Sequence, residues 1–146
     1  DRLVAKDTAL GPEAVAAVRD AEWVVIGPGS WFTSVMPTLL VPELRDALIE
    51  TPAHRALVLN LSGHDAETRG LSPTDHLEVL AAHAPDLRLD VVLADRSLVD
   101  SRGTLEDAAR GLGARLHVAD VARETAADQH DPARLAAAFA TAMRQA

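Results

Sequence analysis

The sequence predicts a single α/β domain over residues 1–146, with a doubly wound, Rossmann-like, mainly parallel sheet and helices on both of its faces. Three observations predict this fold. Short apolar runs recur along the chain, and amphipathic stretches with helix start signals lie between them. The runs also repeat at a spacing of about thirty residues, which is the length of one βαβ unit. Right-handed crossovers between such strands place helices against the sheet.

The strands are predicted by four apolar runs, at residues 23–26, 56–59, 89–93 and 116–119. Each run is short, rich in Val, Leu or Ile, and does not alternate polar with apolar residues. A strand that is buried on only one face would show that alternation. Near-continuous runs are instead typical of parallel strands that are covered on both faces.

The helices between these strands are predicted by their start signals. Ser72, Pro73 and Asp75 supply an N-cap, a proline in the first turn and an acidic third position. The other helices are predicted to begin at Gly11-Pro12, at Pro42, at Thr104 with a stop at Gly113, and at Asp131-Pro132. Each start is followed by apolar residues at helical spacing.

The loop after the first strand carries the most informative motif, Gly27-Pro28-Gly29-Ser30. It lies at the carboxyl end of that strand, where open α/β sheets bind ligands. Its glycines permit positive φ and close backbone approach, and three hydroxyls follow at Ser30, Thr33 and Ser34. Backbone N–H groups and hydroxyls of this kind suit a phosphate or pyrophosphate without any lysine. The alternative is an ordinary tight turn whose hydroxyls cap a helix.

Composition limits the classes of partner. The net charge is −8 and the basic residues are scattered, which disfavours nucleic acid as a partner. Cysteine is absent, and no apolar run is long enough to span a bilayer. The chain opens with charged residues rather than with a signal-peptide pattern, and we expect a cytoplasmic protein. No short-range histidine pair predicts a metal site, since His76 and His83 are about 10 Å apart along one helix.

The motifs, taken in order, resemble those of the YvcK-type gluconeogenesis factors, a CofD-like family. Residues 27–42 are similar to the family's GPGS-LYTS-x-x-PNLLV signature. Asn60 with Glu67-Thr68-Arg69-Gly70 is similar to its N-x-x-x-QPGET-x-G segment. Asp75-His76 and His130-Asp131-Pro132 resemble the family's two later His-Asp or Asp-His pairs. The order and the gaps are kept across almost the whole chain.

The resemblance implies a CofD-like Rossmann fold and a UDP-sugar ligand, notably UDP-N-acetylglucosamine, in a regulatory protein linked to central carbon metabolism, cell shape and cell-wall synthesis. It also implies that this chain is the C-terminal half of a longer protein, whose N-terminal half or companion fragment is a partner. The chain begins at Asp1 rather than at Met, which we take as a further indication of this. The implied ligand-binding residues are Gly27, Gly29, Ser30, Thr33, Ser34, Asn60, Glu67, Thr68 and His76.

Several residues depart from the family pattern. Trp31-Phe32 replaces the usual Leu-Tyr, and Thr38 stands for Asn. His64-Asp65-Ala66 replaces Gln-Pro-Gly, which alters the loop after the second strand. Gln129 stands where Arg is common, so a charge able to bind phosphate is lost. These changes bear on ligand affinity rather than on the fold.

Alternatives stay open at the level of the sequence. One is a CofD-type transferase of a phospholactyl-like group from a nucleotide diphosphate donor, which needs a divalent cation and an acidic or basic group; no catalytic residue is assigned. The acidic loop at Asp65 and Glu67 is the feature that favours it. Another is a structural or assembly domain that forms a homo-oligomer, with Trp31 at the contact. Locally, Asp75 is equally explained as a helix cap, and the loop after the second strand as a solvated segment.

Overall fold

The computed structural model describes residues 12–28, 35–61, 72–99 and 102–145. Helices and strands alternate along most of these ranges. In chain order the elements are α1 (Pro12–Asp20), β1 (Trp23–Ile26), α2 (Met36–Leu40), α3 (Pro42–Glu50), β2 (His54–Val58), α4 (Pro73–His83), β3 (Val91–Asp95), a 3-10 turn (Arg96–Leu98), α5 (Thr104–Gly111), β4 (Arg115–Ala119), β5 (Ala122–Arg123), β6 (Ala126–His130) and α6 (Pro132–Arg144).

Within the described ranges, the main sheet has four strands in the order β1-β2-β3-β4, and their three pairings are parallel. Val25 lies opposite Ala56 and Val92 opposite Leu57, so the strands are in close register. The predicted parallel α/β sheet is therefore confirmed. The strand boundaries differ from the apolar runs by up to two residues, because pairing rather than hydrophobicity sets where a strand begins and ends. Leu89, for example, is buried before β3 begins, and its N–H donates to the carbonyl of Leu112 (2.9 Å).

Helices cover both faces of the sheet, as predicted, but unequally. Sequential strand order with right-handed crossovers puts every connecting helix on one face. There α1 to α5 pack against alternate strand residues such as Val24, Leu57 and Val92. On the opposite face, α6 is the helix among the described residues that packs against the other alternates, such as Val25 and Leu93. Because both faces are covered, polar alternation is missing from the strands, which is the pattern that the sequence shows.

A small antiparallel hairpin, β5–β6, follows β4 and was not predicted. Its residues, with the turn at Glu124 and Thr125, include few of the β-branched or aromatic types that mark strands, and most are exposed. Long-range contacts therefore decide the hairpin conformation. The short helix α2, immediately before α3, was also not predicted as a separate element.

Most helix start signals act as predicted. Ser72 and Asp75 form a reciprocal capping box at α4, and Pro42 occupies the first turn of α3. The carboxylate of Asp131 accepts hydrogen bonds from the N–H groups of Ala133 (2.9 Å) and Arg134 (3.1 Å), which caps α6. Thr104 is the first residue of α5 rather than its cap, because Gly103 precedes it with a φ of +72°.

Arginines lie at the edge of the sheet where the parallel strands begin and the helices end. Arg55 donates from Nη1 to the carbonyls of Leu48 (2.8 Å) and Ile49 (3.1 Å), at the end of α3. Arg88 bonds the carbonyl of Gly111 at the end of α5 (3.0 Å). Arg115 likewise bonds the last carbonyls of α6. Each guanidinium thus donates to carbonyls at the C-terminal end of a helix, next to the negative end of its dipole.

Within the described ranges, none of the helices has the length and apolar character required to cross a membrane.

The α5–β4 connection generates a testable prediction. Gly113 has a φ of +79°, and a Cβ at this position would lie 3.3 Å from Cδ of Arg88. We expect Gly113→Ala to lower the free energy of unfolding by about 1–2 kcal/mol, because an L side chain is strained at positive φ. Equilibrium urea unfolding measures the change.

Gly111 is the matched control, since it is helical and a Cβ there meets nothing within 4 Å. Gly111→Ala should raise the free energy of unfolding by about 0.5–1 kcal/mol. Equal stability of the two variants would contradict the assignment of strain to Gly113.

Candidate functional site

The candidate site is the edge of the sheet at which the four parallel strands end. β1 and β2 are hydrogen-bonded neighbours, with Ile26 opposite Leu57. The segments that follow them, beginning at Gly27 and at Leu59, therefore leave the sheet side by side. Leu59 also donates its N–H to the carbonyl of Leu93 in β3 (3.0 Å). The adjacency that the sequence hypothesis requires for the first two loops is present.

Gly27 adopts a backbone conformation that glycine permits. Its φ is +80°, in the region open to glycine, and its peptide bond to Pro28 is cis. The turn follows β1 without an intervening residue. The predicted positions Gly29, Ser30, Thr33 and Ser34, together with Trp31, lie outside the described residues. The next described residue is Val35, which is buried and directly precedes α2.

Asn60 and His76 are the other described members of the predicted set. Asn60 is half-buried two residues after β2, and His76 is half-buried in the first turn of α4. The His76 N–H donates to the carbonyl of Ser72 (3.1 Å), and its Nε2 atom is shielded from solvent. Glu67 and Thr68 lie outside the described residues, as do His64 and Asp65. The structure thus brings the Gly27 turn, Asn60 and the start of α4 to one edge of the sheet.

Asp75 caps its own helix, which is the simpler of the two interpretations considered for it. Its carboxylate accepts from the Ser72 N–H (2.9 Å), and its own N–H donates to the Ser72 hydroxyl (3.1 Å). The Ser72 N–H and then the Ser72 hydroxyl are the main causes that lower the pKa of Asp75. His76 beside it lowers that pKa further through its charge. The carboxylate therefore serves the backbone of α4.

Asp95 is a residue of this edge that sequence reasoning missed. It ends β3, is only 6% exposed, and accepts four hydrogen bonds. Its Oδ1 accepts from the N–H groups of Val121 (2.9 Å) and Ala122 (3.2 Å). Its Oδ2 accepts from the N–H (3.0 Å) and the hydroxyl (2.6 Å) of Ser97. An Asp after an apolar run with Ser two residues later is a local turn signal, but nothing local indicates the contact with residues 121 and 122.

Burial and hydrogen bonding shift the pKa of Asp95 in opposite directions. Burial is the largest effect and raises the pKa of the carboxyl, because it disfavours the charged form. The Ser97 hydroxyl and the three backbone N–H groups lower it, and together they outweigh burial, so the pKa lies below the ordinary value. Asp95 is thus an ionised, buried carboxylate whose charge is balanced by hydrogen-bond donors.

His130 and Asp131 reach this edge from the far end of the hairpin. His130 is paired with Ala122, and the Asp131 N–H donates to the carbonyl of Val121 (2.7 Å). The Nε2 atom of His130 is shielded from solvent. The pair that the motif comparison singled out is therefore attached directly to the two residues that Asp95 holds. Gln129 precedes it on β6 as an exposed residue.

A divalent cation, which a transferase would need, has no built site in the part of the chain that the structure describes. No group of three His, Asp or Glu side chains comes together there. The carboxylates Asp75, Asp95 and Asp131 all accept from backbone N–H groups at helix or turn starts. The described residues therefore do not form the ligand set of a resident metal ion.

The helix axes give this edge a partial positive character despite the acidic chain. The helices α4 and α5 begin after β2 and β3, and α6 begins beside Val121, so three N-termini lie along it. Helix N-termini carry partial positive charge. The first turns of α4 and α6 are already capped by their own Asp residues, whereas α5 follows Gly103 without a side-chain cap. The first turn of α5 also carries Glu106 and Asp107, so carboxylates lie at all three helix starts and partly offset their positive ends.

Comparison with known proteins shows what the chain resembles. The sequence model described as 2-phospho-L-lactate transferase CofD matches residues 2–134. A putative gluconeogenesis factor from Mycobacterium tuberculosis is 48% identical over 139 residues, which cover 93% of this chain and 40% of that protein. The gluconeogenesis factor of Bacillus subtilis is 33% identical over 84 residues, which cover 58% of this chain and 26% of that protein.

A solved structure has the same architecture. The crystal structure of a Bacillus halodurans protein superimposes with a TM-score of 0.72 at 26% sequence identity, over 88% of this chain and 46% of that one. The chain therefore spans less than half the length of the gluconeogenesis factors and of the solved structure to which it is compared.

The Asp95 contacts predict how stability depends on pH. Because the folded-state pKa lies below the 3.8 of an ordinary Asp, this carboxylate contributes stability that is fully present above pH 3.8. That contribution is lost as the pH falls through the folded-state pKa. We expect the urea midpoint of the wild type to fall steeply below about pH 4, and that of Asp95→Asn to fall less steeply from a lower starting value.

Urea titrations between pH 7 and pH 3 measure both curves. Asp120→Asn is the matched control, since that carboxylate is exposed and its only described ion pair is with Arg96 at the surface. Parallel curves for the wild type and Asp95→Asn would contradict the role given to the charge of Asp95.

Proposed function

This chain belongs to the CofD family, and we propose that it is a cytoplasmic regulatory protein that binds a nucleotide-sugar resembling UDP-N-acetylglucosamine at the carboxyl edge of its sheet. The regulation concerns carbon metabolism, and by extension cell shape and cell-wall synthesis. The observation that carries the proposal is the turn at Gly27, which has positive φ, follows β1 directly and lies beside the segment of Asn60. The names of the gluconeogenesis-factor relatives support the link to carbon metabolism.

The diphosphate is proposed to bind at the Gly27 turn and the hydroxyls that follow it. A chain of net charge −8 does not attract an anion by its overall charge, so the binding must rest on local groups. Backbone N–H groups near a glycine turn, with the hydroxyls of Ser30, Thr33 and Ser34, supply donors without a buried lysine. The positive ends of the helices along this edge act in the same direction.

The sugar and base are proposed to contact the remaining predicted residues. Asn60 both donates and accepts hydrogen bonds, as sugar hydroxyls do. Glu67 and Thr68 follow in the sequence between β2 and α4, and His76 lies in the first turn of α4. His130 reaches the same edge on the hairpin. These polar side chains give the discrimination between sugars that phosphate contacts alone do not provide.

A transferase is the second candidate function, and the description of the family model favours it. In that case the chain transfers a phospholactyl-like group from a nucleotide diphosphate donor. Asp65 and Glu67, which favour it in the sequence, lie outside the described residues, and the described carboxylates Asp75, Asp95 and Asp131 each accept from backbone N–H groups. Within the described ranges, none of these three carboxylates is therefore placed to act as a general base, and we rank the binding function first.

Thermal unfolding tests the binding proposal. UDP-N-acetylglucosamine at about a hundred times its Kd should raise the Tm of the full chain by roughly 5–10 °C. Ser30→Ala and Thr33→Ala should each reduce that shift, because a hydroxyl donor to the diphosphate is removed.

Thr141→Ala is the control. It also removes one hydroxyl, but that hydroxyl donates to the carbonyl of Ala137 on α6 (3.2 Å). The control should keep the wild-type shift. No shift in the wild type at millimolar ligand overturns the binding proposal, and release of free nucleotide from a nucleotide diphosphate donor favours the transferase instead.

A further inference from the structure

The carboxylate of Asp95 joins the main sheet to the hairpin. Its Oδ2 is used within the turn that follows β3, where Ser97 donates twice. Its Oδ1 is used 26 residues further along the chain, where the N–H groups of Val121 and Ala122 donate at 2.9 and 3.2 Å. One buried side chain thus fixes the start of β5 to the end of β3.

The same two hairpin residues hold the segment of His130. Val121 accepts the N–H of Asp131 through its carbonyl at 2.7 Å, and Ala122 is the register partner of His130. Val121 is also buried, 1% exposed, against Ala138 of α6. The N–H groups of residues 121 and 122 therefore donate to Asp95, while the same two residues pair with the segment 130–131 through the Val121 carbonyl and the strand register.

We propose that Asp95 is a positioning residue for the ligand site, which acts by holding His130 at the carboxyl edge of the sheet through Val121 and Ala122. The inference rests on the proposed function for the ligand and goes beyond it in assigning a role to a buried carboxylate that does not itself contact the ligand. His130 is the group through which that role is exerted.

The chemistry of the contacts explains why a carboxylate is needed. Asp95 accepts hydrogen bonds on both oxygens, two on each. Asparagine has the same shape but only one accepting oxygen, and its NH₂ would face donors. In Asp95→Asn, either the two donors of Ser97 or the two N–H donors of Val121 and Ala122 lose their acceptor. Because the Ser97 pair lies within a local turn, we expect the hairpin pair to be lost.

Arg134 is a second anchor that keeps the hairpin from detaching completely. Its Nη1 donates to the carbonyl of Ala122 (3.2 Å), and its Nη2 pairs with Glu124 (2.6 Å). Loss of the Asp95 contact should therefore loosen residues 121–131 while the sheet stays folded. A localised effect of this kind distinguishes a positioning role from general stabilisation.

A double-mutant cycle tests the inference, with UDP-N-acetylglucosamine as the probe and the full chain as the protein. Calorimetry gives the Kd of the wild type, Asp95→Asn, His130→Ala and the double variant. If Asp95 acts through His130, each single variant should weaken binding by about tenfold, and the double variant by no more than either. Ser97→Ala is the matched control, because it removes an Asp95 contact within the turn and should bind as the wild type does.

Amide hydrogen exchange on the same variants reports positioning directly. Asp95→Asn should speed exchange in residues 121–131 and leave residues 91–94 of β3 unchanged. If Asp95→Asn does not fold, Asp95→Ser takes its place in both experiments. Wild-type affinity in Asp95→Asn, fully additive losses in the double variant, or faster exchange spread over the whole sheet would each overturn the inference.

The two proposals fail in different ways. Absence of binding by the wild type overturns the nucleotide-sugar proposal, and with it the ligand-site role of Asp95. In that case the exchange experiment still decides whether Asp95 holds the hairpin. Tight binding by the wild type with no effect of Asp95→Asn overturns the inference alone.

Discussion

The parallel pairing of β1 to β4 is the constraint on which the rest of the structure depends. Parallel strands cannot be joined by tight hairpins, so each connection must return along the sheet, and in this chain each return includes a helix. Every strand then ends at the same edge, and every connecting helix begins there. The site, the helix caps and the asymmetry of the two faces all follow from this arrangement, because the strands also keep their sequential order.

The two edges of the sheet are chemically opposite. At the edge where helices end, Arg55, Arg88 and Arg115 donate to the last carbonyls of three helices. At the edge where helices begin, carboxylates accept from the first N–H groups, as Asp131 does at α6. Both arrangements supply hydrogen-bond partners to backbone groups at the ends of helices. In both, the charge of the side chain is opposite in sign to the nearby end of the helix dipole, which is favourable. Many of the charged side chains of this acidic protein are thereby used in holding its layers together.

This use of charge bears on function. Three carboxylates of the site edge (Asp75, Asp95 and Asp131) accept from backbone N–H groups, so they repel an incoming anion less than free carboxylates would. In the function proposed above, ligand binding at this edge depends on uncharged donors, namely glycine-turn amides, hydroxyls and the amide of Asn60. Sites of that kind select a ligand by geometry rather than by net charge.

Much of the fold was already determined by local sequence. Apolar runs predicted the four strands, and Ser72-Pro73 and Asp131-Pro132 predicted helix starts. Both signals can be read locally, because an apolar run and an N-cap each consist of residues close together in the chain. A glycine at position 27 also permits the positive φ that the structure shows there. Only the tertiary structure decided the strand order, the β5–β6 hairpin and the role of Asp95. The physical reason is distance along the chain: Asp95 meets Val121 26 residues away, and no local pattern records a hydrogen bond whose partner is brought to it by the packing of a sheet.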